Sequence, residues 1–406
     1  MICLYFIFFL GCFYLNYKRN GFNVSTLLLS IYLISSLSSI YLLYGFNKYD
    51  PESISLFAIT IHILCLSLFL APLIYFGNKN IDVPQFNLKV LNRIAWLAVF
   101  FSITNICVSI PKVFIVFSQP DMLTARTLYM SGQLYEHTQS IWNYISSIGK
   151  YTSIITIFLF FYYKCFTKNK LLTYLLLIST FSIVFSGITA IWRVAFIQFF
   201  YQFLFAYILF RKYLKTNINK KKLMIILSVF LIIIVLVAKI TIERFAGRDE
   251  SIMFYVLDYA GQSFINFSFY FDTYFDGIYW GRKNFAFLFP SHMQVSIFNL
   301  NDIFFSERLL NVFGTLISSF FGEFGCWGTC AFALFTFLMF NMFLNSDLID
   351  NFVIIRWILF LIWYDMLFMG VFYYTLGGST PGASIIAFLI IAFMSYFKFN
   401  RMKIKI

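Results

Sequence analysis

The residues placed to do chemistry are few, and most are arginines. Arg244 and Arg248 lie four apart in KITIERFAGRDES, a spacing that puts both on one helical face near Lys239. Guanidinium forks suit phosphate oxygens bidentately; the alternative is local pairing with Glu243, Asp249 and Glu250. Arg193 ends the tight turn GITAIWR, where it could bind an anion or serve with Trp192 as an interfacial anchor. Glu323, in SSFFGEFGCWG, is flanked by Phe and Gly and could act as a proton acceptor, or pair with an arginine. Asp258, Gln262 and Asn266 recur every four residues, one polar stripe if the stretch is helical. Tyr255, Tyr259, Tyr270, Tyr274, Tyr279 and Trp280 surround that stripe. Rings with polar tips suit a sugar, although a helix lying on a bilayer would look the same.

Other ionisable groups read as structural. Lys112, Lys150 and Asp365 suit pairing between helices, and His62, mid-run, suits packing. The seven cysteines fall in or beside apolar runs with no CxxC, so they read as buried thiols rather than a disulfide or zinc framework. Three histidines without HExxH or paired spacing give no metal site, and no cofactor is expected.

These groups must be positioned by membrane helices. The chain has 406 residues, 61% hydrophobic and 12% charged, with mean hydropathy +0.82. Soluble domains run near 45–50% apolar and about 25% charged, and disordered chains are charge-rich and aromatic-poor. Both classes are excluded. The sequence predicts an all-α, polytopic membrane protein with about eleven spans, each near the ~20 residues a bilayer requires. They cover 2–17, 24–46, 53–76, 94–118, 144–163, 171–189, 194–210, 223–240, 315–344, 352–373 and 378–397.

Lys18 and Arg19 follow the first segment rather than precede it, unlike a cleavable signal peptide. The positive-inside rule then sets the N-terminus outside and the C-terminus inside. Threaded so, cytoplasmic segments hold 19 of the 30 basic residues against Asp82, Asp347 and Asp350. The net charge of +13 therefore records orientation and is no nucleic-acid footprint. The expected organisation is one membrane domain over 1–406, with extracytoplasmic loops at 119–143 and 241–314. The first loop carries Asp121, Arg126, Glu136 and His137; the second is long and aromatic, the kind of loop that is functional or disordered. No internal repeat of the transporter kind is visible.

An arginine in a short outer turn, arginines opening a long outer loop, and then NVFGTLISSFFGEFGCWGTC resemble the Wzy-type polymerases of bacterial O-antigen and capsule repeat units. The matching positions are Asn311, Val312, Phe313, Glu323, Phe324, Gly325 and Gly328. The chain departs from the family pattern twice: Glu323 stands where an Asp is usual, and SGITAIWR replaces a Gly-Ser-Arg element, so Arg193 is spaced differently.

The resemblance implies a metal-independent glycosyltransferase of the bacterial cytoplasmic (inner) membrane, joining undecaprenyl-diphosphate-linked oligosaccharide units into a surface polysaccharide at the outer leaflet. Arg193, Arg244 and Arg248 would hold the diphosphate, Glu323 would take the acceptor's proton with His292 behind it, and Tyr255, Tyr259 and Trp280 would meet the glycan. Partners would be the lipid-linked oligosaccharide, membrane lipid and a chain-length regulator, with no nucleic acid. The rivals are a flippase or transporter for the same lipids, an O-antigen ligase, and a membrane scaffold.

Overall fold

The computed structural model describes residues 1–46, 49–79, 82–135, 140–214, 251–273, 275–276, 279–293, 314–345, 353–377 and 379–403, with Val235, Ala238 and Ile242. No strand occurs among them. The helices are α1 (Cys3–Asn20), α2 (Val24–Gly45), α3 (Leu56–Lys79), α4 (Leu88–Phe117), α5 (Met122–Met130), α6 (Ile141–Tyr151), α7 (Ser153–Phe166), α8 (Lys170–Ser179), α9 (Ser182–Ala190), α10 (Arg193–Phe210), α11 (Ile252–Thr273), α12 (Leu316–Asn345), α13 (Val353–Met369) and α14 (Ser379–Lys403).

Helices stand at ten of the eleven segments read from the sequence. The other, 223–240, falls outside the described residues apart from Val235 and Ala238. Among the described residues six helical stretches are long and apolar enough to cross a bilayer, Lys170–Ala190 (α8 with α9) counting as one, or seven if α6 and α7, bent by 60°, form one span.

The chain divides into two compact units, Met1–Asp82 with Glu250–Ala383, and Val83–Asp249 with Ser384–Ile406. In the first, Gly21, at φ 66°, stops α1 and Asn23 opens α2 through a capping box with Thr26. Tyr32 Oη donates to Leu367 O at 2.8 Å and Tyr364 Oη to Val24 O at 2.6 Å, tying α2 to α13. Such bonds contribute about 0.6–2 kcal/mol each in a membrane protein. Pro72 lies inside α3, and a turn earlier Trp363 Nε1 donates to Phe69 O at 3.3 Å. Phe69, Phe320 and Trp363 stack into a core shared by α3, α12 and α13.

Segment 241–314 is not loop throughout, since 22 of its residues form α11. Gly261 brings α11 against α2 so closely that a Cβ there would lie 2.5 Å from Ser39 N. The Ser35 hydroxyl donates to Ala260 O, and Ser39 Oγ to Gly261 O at 2.6 Å. Small residues permit that approach and their hydroxyls supply the interhelical bonds.

In the second unit, Asp121 accepts from Thr124 N–H at 2.7 Å and caps α5, so part of segment 119–143 is helical as well. The expected 171–189 span breaks between α8 and α9. Asn105 of α4 meets the first turn of α9, its Nδ2 donating to Ser182 O at 3.0 Å and to the Ser182 and Ser186 hydroxyls at 2.7 and 2.8 Å.

Candidate functional site

Helix α12 breaks at Gly325, whose φ 68° and ψ −169° lie in a region essentially reserved for glycine. The break leaves backbone groups unmatched within the helix, and segment 275–284 supplies their partners. Cys326 N–H donates to Phe275 O at 2.8 Å, while Gly322 O and Glu323 O accept from Tyr279 and Trp280 N–H at 3.2 and 3.0 Å. A Cβ on Gly322 would stand 3.3 Å from the Tyr279 ring, so the glycine admits that ring at van der Waals range.

Past Trp280 the segment turns back through two left-handed residues, Trp280 at φ 50° and Gly281 at φ 85°. The turn aims N–H groups of Gly281 and Asn284 at one point, a concavity of the kind that binds anions elsewhere. Here the anion is the Glu323 carboxylate. Its Oε2 accepts Gly281 N–H at 2.6 Å and its Oε1 accepts Asn284 N–H at 2.5 Å. Asn284 Nδ2 in turn donates to Ser319 O at 2.8 Å, one helical turn before Glu323. The Glu323 side chain is 0% exposed.

Two further groups surround it. Lys283, whose Nζ sits 5.1 Å over the Tyr279 ring, has its pKa lowered by burial and partly restored by the Glu323 charge. The Tyr374 hydroxyl is raised by burial and again by the Glu323 charge. Phe285 closes the apolar side against Phe320, Phe324 and Phe332. The arrangement is a carboxylate held by the backbone N–H groups of Gly281, Lys283 and Asn284 inside an aromatic wall, with an ammonium and a phenol close by.

The other sequence-predicted residues are distributed as follows. Trp280 stands 65% exposed at the tip of the turn that grips Glu323. His292 is exposed in a short 3-10 turn, Ser291–Met293. In α11, Tyr255 is buried and Tyr259 half-buried. Asp258, Gln262 and Asn266 form the expected stripe but are buried: Asp258 accepts from Tyr49 Oη at 2.8 Å and from Gln262 Nε2 at 3.4 Å. The stripe therefore serves packing within the unit. Arg193 opens α10 in the other unit, after Trp192, whose ring carries Lys150 Nζ at 4.7 Å. Arg244, Arg248 and Asn311, Val312 and Phe313 lie outside the described residues.

His62 is a satisfied core histidine. Its Nδ1 shares a hydrogen with Tyr5 Oη at 2.6 Å, its Nε2 with Thr315 Oγ1 at 2.7 Å, and its ring stacks on Phe267. Sequence reasoning missed Lys283, Asn284 and Tyr374 around Glu323; the only local signal was Gly322, Gly325 and Gly328 at intervals of three. Among the described residues no group of three His, Cys, Asp or Glu side chains could hold a metal ion. Compared with protein-family models, curated proteins and solved structures, the chain finds no match.

Proposed function

We propose that this protein is a multi-pass polymerase of the bacterial cytoplasmic membrane, with about eleven spans, its N-terminus outside and its C-terminus inside. It would join undecaprenyl-diphosphate-linked oligosaccharide units at the outer leaflet. The observation that carries the reading is the Glu323 carboxylate, fully buried at a glycine break in an apolar helix. Ionisable groups at such a position are expensive and are kept for function.

In the reaction, an acceptor hydroxyl of one lipid-linked unit attacks the anomeric carbon of the growing glycan. A new C–O bond forms, the bond from that carbon to the lipid diphosphate breaks, and the diphosphate leaves with the electron pair. Glu323 takes the hydroxyl proton, and His292 can pass it to water. Arg193, Arg244 and Arg248 hold the departing diphosphate, where the negative charge develops. The transition state has oxocarbenium character, as in glycoside chemistry. Trp280 is the exposed ring on the glycan side, while Tyr255 and Tyr259, expected there too, are buried and half-buried in α11. The Trp280 turn then carries a sugar-facing ring at its tip and grips the base from below.

The experiment is replacement of Arg244 or Arg248 by Ala in the producing cell. The reading predicts loss of long-chain polysaccharide with a single-unit product retained. Loss of all surface sugar, with lipid-linked units trapped on the inner leaflet, would identify a flippase instead.

A further inference from the structure

Glu323 has a counter-charge in the same turn that grips it. The backbone N–H of Lys283 is the third donor at the carboxylate, between those of Gly281 and Asn284. The side chain starts there, so the ammonium stands within one lysine side chain's length of the carboxylate. Its Nζ lies 5.1 Å over the Tyr279 ring, and that ring packs on Gly322, the residue before Glu323. The lysine stem is therefore folded back toward the helix break.

The other titratable groups nearby do not supply a charge. Arg282, next in the turn, directs its Nε–H to Tyr279 O at 3.0 Å. His62 and Cys65 of α3 meet Thr315 and Cys330, about two turns to either side of Glu323. The Tyr374 phenol, its pKa raised by burial, stays uncharged at neutral pH. Among the described residues, Lys283 is the cation that faces Glu323.

Three backbone dipoles orient a carboxylate but leave its charge uncompensated. Glu323 is fully buried, and a buried charge without a partner takes up a proton instead. A neutral Glu323 could accept no proton from a substrate. Whether it is ionised therefore decides what it can do.

We propose that Lys283 is a positioning residue that keeps Glu323 ionised inside the fold, acting through the carboxylate and touching no substrate. The inference deepens the reading of Glu323 as proton acceptor and rests on that reading for its consequence, while its test needs no substrate.

The test is infrared spectroscopy of the full-length protein in detergent, following the protonated-carboxyl band that disappears in Glu323→Gln. At the pH that leaves Glu323 half ionised in the unaltered protein, Lys283→Gln should lower the ionised fraction about fivefold, the smaller end of what loss of a nearby opposite charge does. Lys283→Arg should restore it, and Lys283→Met serves should the Gln variant fail to fold. An unchanged fraction in the charge-free variant would overturn the inference, because the backbone donors would then suffice. So would an equal fall in Lys283→Arg, which would make Lys283 a packing residue. A band persisting in the unaltered protein above neutral pH would overturn it without any variant. In liposomes supplied with lipid-linked units, Lys283→Gln should lose polymer yield at the same pH and recover it at higher pH. No polymer from any of the proteins would contradict the polymerase reading and leave the infrared result standing.

Discussion

Glu323 Oε2 accepts the backbone N–H of Gly281 at 2.6 Å, although the two residues are 42 positions apart. The bond joins a broken span to the turn that follows α11, and it makes the carboxylate the organising centre of residues 279–285. Any chemical role for Glu323 is built on that grip.

Glu323→Gln keeps the shape but turns one acceptor into a donor facing a backbone N–H. The amide can satisfy Gly281 or Asn284 and not both. Leaving one buried donor unmatched costs about 1–3 kcal/mol. The variant is expected to melt earlier in detergent and to show faster hydrogen exchange at Gly281 or Asn284. An unchanged melting point would show that the two bonds do not hold the turn.

Gly325→Ala places a Cβ in a conformation essentially restricted to glycine, at about 1–3 kcal/mol. The break in α12 should relax, and with it the bond from Cys326 N–H to Phe275 O. Limited proteolysis within residues 275–285 should accelerate.

Gly261→Ala should loosen α11 from α2, because the new methyl would stand 2.5 Å from Ser39 N and 2.6 Å from Ser38 C. Both are backbone atoms, so the helices must separate, and overpacking of this kind costs about 1–3 kcal/mol. A thermal melt in detergent reads the effect. A melting point equal to that of the unaltered protein would contradict the close approach.

Cys65 Sγ of α3 lies 3.8 Å from Cys330 Sγ of α12. A disulfide requires about 2.05 Å, within reach of a small side-chain movement. Treatment with a membrane-permeant oxidant such as diamide should link these two cysteines within one chain, detected as a cross-linked peptide under non-reducing conditions. Cys65→Ser should abolish the product. Absence of the link while other cysteines react would contradict the α3–α12 packing.

The parts of the fold legible in the sequence are those set by local composition. Apolar runs at 24–46, 53–76 and 94–118 could only be helices, and the period-four polar stripe of α11 was visible from Asp258, Gln262 and Asn266. What covers that stripe was not visible, because its partners Tyr49 and α2 lie about two hundred residues away in the chain. The stripe consequently resembled an open sugar face when it is a buried packing face. Glu323 stood out because glycines and phenylalanines flank it. Lys283, Asn284 and Tyr374 did not, because a helix break at Gly325 and two left-handed residues bring them to it, and neither follows from periodicity.

The polymerase reading is tested most directly by the purified protein in liposomes, supplied with undecaprenyl-diphosphate-linked repeat units extracted from the producing cell. Products are resolved by size, and released undecaprenyl diphosphate is counted. The account predicts a ladder of whole-unit multiples, with one undecaprenyl diphosphate freed for each junction formed. Units that remain single, with no undecaprenyl diphosphate released, would contradict it.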